Sequence, residues 1–486
     1  MTGKSNKKRV SYLNYVKSHL DIIIDKGTDV YGKKSSPMWM SSIDIRSGTY
    51  PEDDLHPEHI GKRVYRNIDA PSGSSLYWDQ PSLIAANNLS KITGDPRYND
   101  STDQYVKYFL EHCVADNGIF LWGNHYYYNA FEDEVYWFIG TEDPKPCDME
   151  NENGSLHEAR PIPPAWDIFW KASPEATERC IRKLGEAHIF DKETGAFNRH
   201  ADGKLGCAFL ESGGILVETL CWLYNKTLDK SILKTALRIA RYSWNHRSTA
   251  TGLLENNPTM TRWDKYICTT EVGLWAGSLI RAARASNNEE LLMMARESVL
   301  AYLKYGYDEK NKKYYGRLNI SDGSAVMGDK SVLKQRKIHE KNVPSEYSDI
   351  WEPLFPTHDY PMSFAQACVH LYKQTCKLEF KEAIERWALV VAEESVHANS
   401  RVVYAEQYGR CIHFLAEAAI ALKDERYFAQ ACHLADEAIG KLFDYSMFRG
   451  HTKEDRYDAV DGVGYLLLAL IYLETRRAPD YMGFGF

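Results

Sequence analysis

Three short stretches hold residue types that can do chemistry together. "WGNHYYYN" (122–129) carries His125, "LHEAR" (156–160) carries His157 and Glu158, and "FNRH" (197–200) carries Arg199 and His200. Imidazole nitrogen and carboxylate oxygen are the donors a first-row divalent ion such as Mn²⁺, Co²⁺, Ni²⁺ or Zn²⁺ accepts. Two histidines and one carboxylate would leave coordination positions open to a substrate oxygen and water, the mark of a catalytic site. Any one of the 16 histidines is ordinarily a structural or surface residue. Nor are these groups spaced like a local metal motif, since Glu158 lies 33 residues after His125 and 42 before His200. A fold must bring them together.

A degenerate repeat supplies the means. The segments 83–113, 216–246, 273–306, 362–395 and 410–443 each read as two amphipathic helices, with apolar residues at i, i+3, i+4 and i+7. Turn formers such as "TGDP", "SNNEE" and "LKDER" join the halves. A helical hairpin cannot bury its apolar face alone, so stacked pairs imply a solenoid or a closed ring. The spacing favours an all-α fold, an (α/α) toroid of about six or seven hairpins, closed by "GVGYLLLALIYLE" (462–474). No linker divides the chain, so residues 1–486 are expected to form one catalytic domain with long loops at the cleft, 131–157 and 320–362. Several hairpins are followed by a short loop: "DNGIFLWGNH" (116–125), "ETGAFNRH" (193–200), "ATGLLENN" (250–257) and "KKYYGRL" (312–318). On a ring these loops emerge on one side and deliver His125, Arg199, His200, Glu255, Asn256 and Arg317 toward a common centre.

Composition narrows the function. A formal net charge of −8 argues against general nucleic-acid binding, which rests on a basic surface. No apolar run is long enough to span a membrane. The ten cysteines include no CxxC pair, which suits buried reduced thiols. The basic N-terminus lacks a clean apolar signal core, so the expected compartment is the cytoplasm, or the periplasm or exterior if a signal peptide has been removed. The 32 tyrosines and 12 tryptophans suit either bulky helix packing or stacking on sugar rings.

Here "GIFLWGNH", "LHEARPIPPAWDIFW" and "SPEATERCIRKLGEAHIFDKETGAFNRH" resemble the family 2 polysaccharide lyases, the (α/α)-barrel pectate lyases. The likeness is clearest over about 75–200, and "WMSSIDIRSGTY" (39–50) is similar to the family's opening. The resemblance implies a divalent metal, with Mn²⁺ the first choice, bound by His125, Glu158 and His200. It also implies that Arg199 is the Brønsted base. The insertion 131–155 is longer and more acidic than the family pattern and is expected to shape specificity.

These roles suit β-elimination. Taking H5 from a uronate pushes charge onto the neighbouring carboxylate, where a metal acts as Lewis acid. Arginine normally holds its proton to a pKa above ~12, so the alternative is that Arg199 clamps a carboxylate, with Tyr126, Tyr127 or Tyr128 handling the proton and Tyr127 the one singled out. Substrate contacts are expected from Trp122, Asn124, Tyr126, Tyr128, Arg160, Trp166 and Arg317, and Lys204 is a weaker candidate. The basic run 330–341 reads as a solvated loop or a lid, and 348–363 as a loop over the mouth. The expected partner is an acidic oligosaccharide or polysaccharide such as polygalacturonate. The competing classes are an unsaturated-uronyl hydrolase using Asp79, Asp133 or Glu255 without metal, a sugar epimerase, and a non-catalytic sugar-binding toroid.

Overall fold

The computed structural model describes residues 10–51, 72–123, 125–137, 144–149, 157–258, 265–327, 347–348, 350–351, 361–393 and 402–485. Asn124, the basic run 330–341 and most of the two expected cleft loops lie outside these residues.

Fourteen helices occur among the described residues, in an alternating order of outer and inner elements. They are α1 (Tyr12–Lys26), α2 (Leu76–Thr93), α3 (Arg97–His112), α4 (Trp166–Ala172), α5 (Pro174–His188), α6 (Leu210–Thr227) and α7 (Lys230–Asn245). The second half of the chain adds α8 (Thr269–Ser286), α9 (Glu289–Tyr305), α10 (Pro361–Thr375), α11 (Leu378–Glu393), α12 (Ala405–Leu422), α13 (Glu425–Leu442) and α14 (Val463–Thr475). The even-numbered helices line the inside of an (α/α) toroid and the odd-numbered ones wrap it. Burial separates the two rings. Helix α14 is buried without interruption from Val463 to Leu473, whereas outer α7 buries only Ile232, Ala236, Ile239, Ala240 and Ser243 along one face.

The turns that join inner to outer helices repeat one piece of chemistry. Inner helices end on a left-handed residue, among them Gly94, Leu228, Asn287 and Lys423. The next residue then caps the outer helix: Asp229 accepts from Ser231 N, Asn288 from Glu290 N and Asp424 from Arg426 N. Where inner helices cross, glycine lets the backbones approach. A Cβ on Gly273 would stand 2.3 Å from Phe364 N of α10, and one on Gly464 would stand 2.5 Å from Ser82 N of α2.

The two ends of the chain close the ring. Helix α14 packs between α12 and α2, and α1 lies outside α14 and α2. Strand Ser42–Asp44 pairs antiparallel with Arg456–Asp458. The short α4 is seated between its neighbours by Trp166, which donates to Thr219 Oγ1 of α6 (3.3 Å), and by Gln80 of α2, which accepts from Ala165 N (3.0 Å). Because short turns take up the inner-to-outer connections, every long connection falls at the opposite end, where inner helices begin. That end carries the candidate site.

Candidate active site

After several outer helices the chain makes a tight hairpin and returns toward the mouth. Val114 bridges Phe120, Ile189 bridges Phe197, and Tyr307–Asp308 pairs with Lys313–Tyr314. The turns need a left-handed residue, supplied by Gly118 (φ 94°), Gly195 (φ 83°), Gly252 (φ 78°) and Lys312 (φ 53°). Two residues past Phe197 stands Arg199, and three past it His200. Three past Tyr314 stands Arg317. The hairpin thus repeats a delivery point at the rim of the ring.

Glu158 reaches the same rim from the connection before α4. It forms an isolated antiparallel bridge with His200, flanked by hydrogen bonds from Ala159 N to Arg199 O (2.7 Å) and from Ala201 N to His157 O (3.0 Å). Ser212 Oγ, in the first turn of α6, donates to Ala159 O (2.6 Å) and fixes this ladder to the inner ring. The Glu158 side chain is 5% exposed and is the centre of the cluster. His125 Nε2 lies 3.0 Å from its Oε2, and His200 Nε2 lies 3.3 Å from its Oε1. Arg160 Nη1 is 3.4 Å from Oε1, and Arg199 forms an ion pair with the same oxygen. The Arg199 guanidinium also lies over the Phe209 ring, 5.0 Å from its centroid.

Electrostatics follow from this crowding. Burial alone would raise the Glu158 carboxyl, but Arg160 and Arg199, with the two imidazoles, outweigh it and hold the group well below the usual carboxylate range. Hydrogen bonds to Cys207 and Glu158 push His200 up to about 9. The carboxylate is therefore ionised and surrounded by more positive charge than it can neutralise.

The donor set fits a divalent ion in kind: two imidazole Nε2 atoms and a buried carboxylate whose Oε2 lies outside any aligned hydrogen bond. Among the described residues no three such side chains already surround a common ion-sized point, because both imidazoles turn toward Glu158 itself.

The other expected site residues divide by placement. In strand Tyr126–Asn129 alternate side chains face opposite ways. Tyr126 has its ring beside Gly123, whose Cβ position is also 3.8 Å from Glu158 O. Tyr127 packs near Tyr136, and burial pushes its hydroxyl up to about 12, which keeps it protonated. Tyr128 shares a hydrogen bond with Tyr108 of outer helix α3 (2.9 Å), which takes it away from the cluster. Trp122 (1% exposed) and Trp166 (0%) are core residues with no surface to offer a sugar, a correction to their expected stacking role. The large tryptophan and tyrosine content serves packing in these two cases.

Arg317 pairs in strand register with Cys268 and faces Glu271 on α8 rather than Glu158. Burial, with Glu211 adding to it, pushes Glu271 up to about 7. Asp79 is buried against Ser41 and Tyr105, at 2.6 and 2.8 Å, and serves the fold rather than a hydrolytic cleft. Lys204 is held through its backbone, its carbonyl accepting from Asn198 Nδ2 (3.0 Å) and its N–H donating to Asp202 Oδ1 (3.0 Å). Phe209 carried no signal in the sequence, since a lone phenylalanine before a helix reads as packing.

The stretch 78–211 matches the model of a family described as periplasmic pectate lyase, and so spans His125, Glu158, Arg199 and His200. Three solved structures are similar over much of their length. The α-1,6-mannanase of Salegentibacter sp. HEL1_6 is 9% identical, with 96% of this chain and 98% of that one covered and a TM-score of 0.46. Cellobiose 2-epimerase from Bacillus thermoamylovorans B4167 is 10% identical, with 96% and 98% covered and a TM-score of 0.49. An unsaturated glucuronyl hydrolase from Bacillus sp. GL1 is 14% identical, with 65% and 85% covered and a TM-score of 0.45. Among the described residues no helix is long and apolar enough to cross a membrane.

Proposed function

We propose that the protein is a carbohydrate-active enzyme that cleaves a (1→4)-linked uronate polymer, polygalacturonate or a relative, by metal-assisted β-elimination. The observation that carries this reading is the convergence of His125, Arg199 and His200 on the buried carboxylate of Glu158. The family match supports it, because the matched stretch holds all four residues. The charge balance supports an acidic substrate. One carboxylate faces two guanidiniums and two imidazoles, and a uronate brings the negative charge that the cluster lacks.

His125, Glu158 and His200 are the residues that would hold the ion, Mn²⁺ in the first instance. When bound, the ion supplies Lewis-acid stabilisation of the charge that develops on the uronate carboxylate. The chain's own residues do the rest. Arg160, 8% exposed, stays with Glu158 and fixes it. Arg199, 22% exposed above Phe209, is the side chain that can reach a sugar lying over the cluster, and we assign it as the base for H5, which it takes as the neutral guanidine after giving its own proton to solvent. As H5 leaves, the C4=C5 double bond forms, the C4–O bond breaks and the leaving oxygen takes up a proton. Solvent water supplies that proton. Arg317 suits a second uronate carboxylate across the mouth. The matched family's description supports the periplasm, the alternative to the expected cytoplasm.

The test is incubation with polygalacturonate, glucuronan and alginate, with Mn²⁺ or with EDTA, following ultraviolet absorbance of the C4=C5 product. Absorbance that rises with Mn²⁺ and is lost with EDTA is expected. No absorbance on any of the three overturns the reading. Arg199→Lys keeps the charge but not the guanidinium, and is expected to lower kcat about 100-fold or more, with KM near that of the wild type. A second reading, hydrolysis without metal, is favoured by the raised carboxyl of Glu271 beside Glu211. It predicts activity indifferent to EDTA and abolished in Glu271→Gln.

A further inference from the structure

We propose that His157 is the positioning residue that ties together the three loops carrying His125, Glu158 and Arg199–His200, and that His188 fixes which of its ring nitrogens bears the proton. The inference rests on the reading of those residues as the reactive set.

One residue links all three loops, through its ring and its backbone. The His157 ring packs, tilted by 48°, with its centroid 4.4 Å from that of Trp122, three residues before His125, and Trp122 Nε1 in turn donates to Ile162 O (3.1 Å). Its backbone adjoins Glu158 and accepts from Ala201 N (3.0 Å). Its Nδ1 is 2.7 Å from Nε2 of His188, at the end of α5. His188 then grips Asn198 twice, as its Nδ1 donates to Asn198 O (2.9 Å) and its carbonyl accepts from Asn198 N (2.9 Å). Asn198 passes the constraint on, since its Oδ1 accepts from His200 N (3.0 Å).

Proton positions follow from the chemistry of the partners. A carbonyl oxygen only accepts, so His188 Nδ1 carries the proton in its bond to Asn198 O. Both rings are 1% exposed and neither hydrogen-bonds a carboxylate, so each is neutral and bears one proton. His188 Nε2 therefore holds a lone pair and accepts from Nδ1–H of His157, and His157 Nε2 is left unprotonated. His157 cannot reach substrate from that depth. Its part is to hold Glu158, His125 and His200 at their mutual distances.

Nitrogen-15 NMR on the metal-free wild-type protein reads the pattern directly. His157 and His188 are both expected as neutral Nδ1–H tautomers, and a proton on Nε2 of His157 overturns the proposal. Two substitutions separate positioning from bulk. His157→Asn sets an amide donor where Nδ1 stood, whereas His157→Gln sets it where Nε2 stood. His157→Asn is expected to leave the ring-nitrogen resonances of His125 and His200 in place and Mn²⁺ affinity by calorimetry within a few-fold. His157→Gln is expected to shift those resonances and weaken Mn²⁺ about tenfold or more. Equal effects of the two substitutions, whether both silent or both damaging, overturn it. If either variant does not fold, the wild-type tautomers decide. A wild-type protein that binds no Mn²⁺ overturns the ion reading alone, because the resonances are read without metal.

Discussion

At the scale of single residues, Glu158 is the side chain on which the rest of the cluster depends. It is buried beneath two guanidiniums and two imidazoles, and its charge is what makes their burial tolerable. Glu158→Ala is therefore expected to remove the chemistry and also to destabilise the fold by about 3–5 kcal/mol, the cost of stranding a buried partner charge. A denaturant titration checks it. Arg160, less exposed than Arg199, is the stranded group that matters most.

At the scale of elements, the tight hairpins after α3, α5 and α9 set where the polar residues emerge. Gly195 is indispensable there. It adopts φ 83°, and a Cβ would stand 2.3 Å from the carbonyl oxygen of Arg238 on α7. Gly195→Ala is expected to cost at least about 2 kcal/mol, because left-handed backbone strain and the clash add. The equivalent turn before Tyr314 places Lys312 at φ 53°, so Lys312→Gly is expected to gain up to about 1 kcal/mol. Thermal melts of the two variants should move in opposite directions.

Asp79 governs a different element, the start of α2. Burial raises its carboxyl to about 7, against hydrogen bonds from Ser41 and Tyr105 that favour the charged form. With the folded value raised, the neutral carboxyl's contribution is fully present below about pH 4, declines by about 1.4 kcal/mol per pH unit, and is lost as pH rises through about 7. The amide in Asp79→Asn stays neutral. The variant should gain stability relative to wild type between pH 4 and 7 and level off above, which melting temperatures across that range will show.

At the scale of the whole molecule, the toroid is held shut by segments from the two halves of the chain. Tyr12 N donates to Glu474 on α14 (2.9 Å), and Asn88 of α2 exchanges hydrogen bonds with the backbone of Asp480 (2.8 Å each way). Phe484, 2% exposed, lies near Tyr465 of α14 in the floor of the ring. Phe484→Ala is expected to cost about 3–5 kcal/mol. Unfolding should remain one transition by calorimetry, because an opened ring exposes the inner helices together.

Much of this was legible in the sequence. Helix periodicity and turn residues such as "LKDER" give the hairpins, because amphipathicity and capping are local properties of the chain. "FNRH" and "LHEAR" carry chemistry in their residue types alone. Three things only the tertiary structure decided. Tyr128 is held by Tyr108 of outer helix α3, because the packing of that helix decides which partner its hydroxyl meets. Trp122 and Trp166 are wall rather than platform, since burial depends on what packs against a ring. The link from His157 through His188 to Asn198 joins two connections through the end of α5. No one-dimensional spacing encodes it, because a hydrogen bond depends on distances that the closed ring sets.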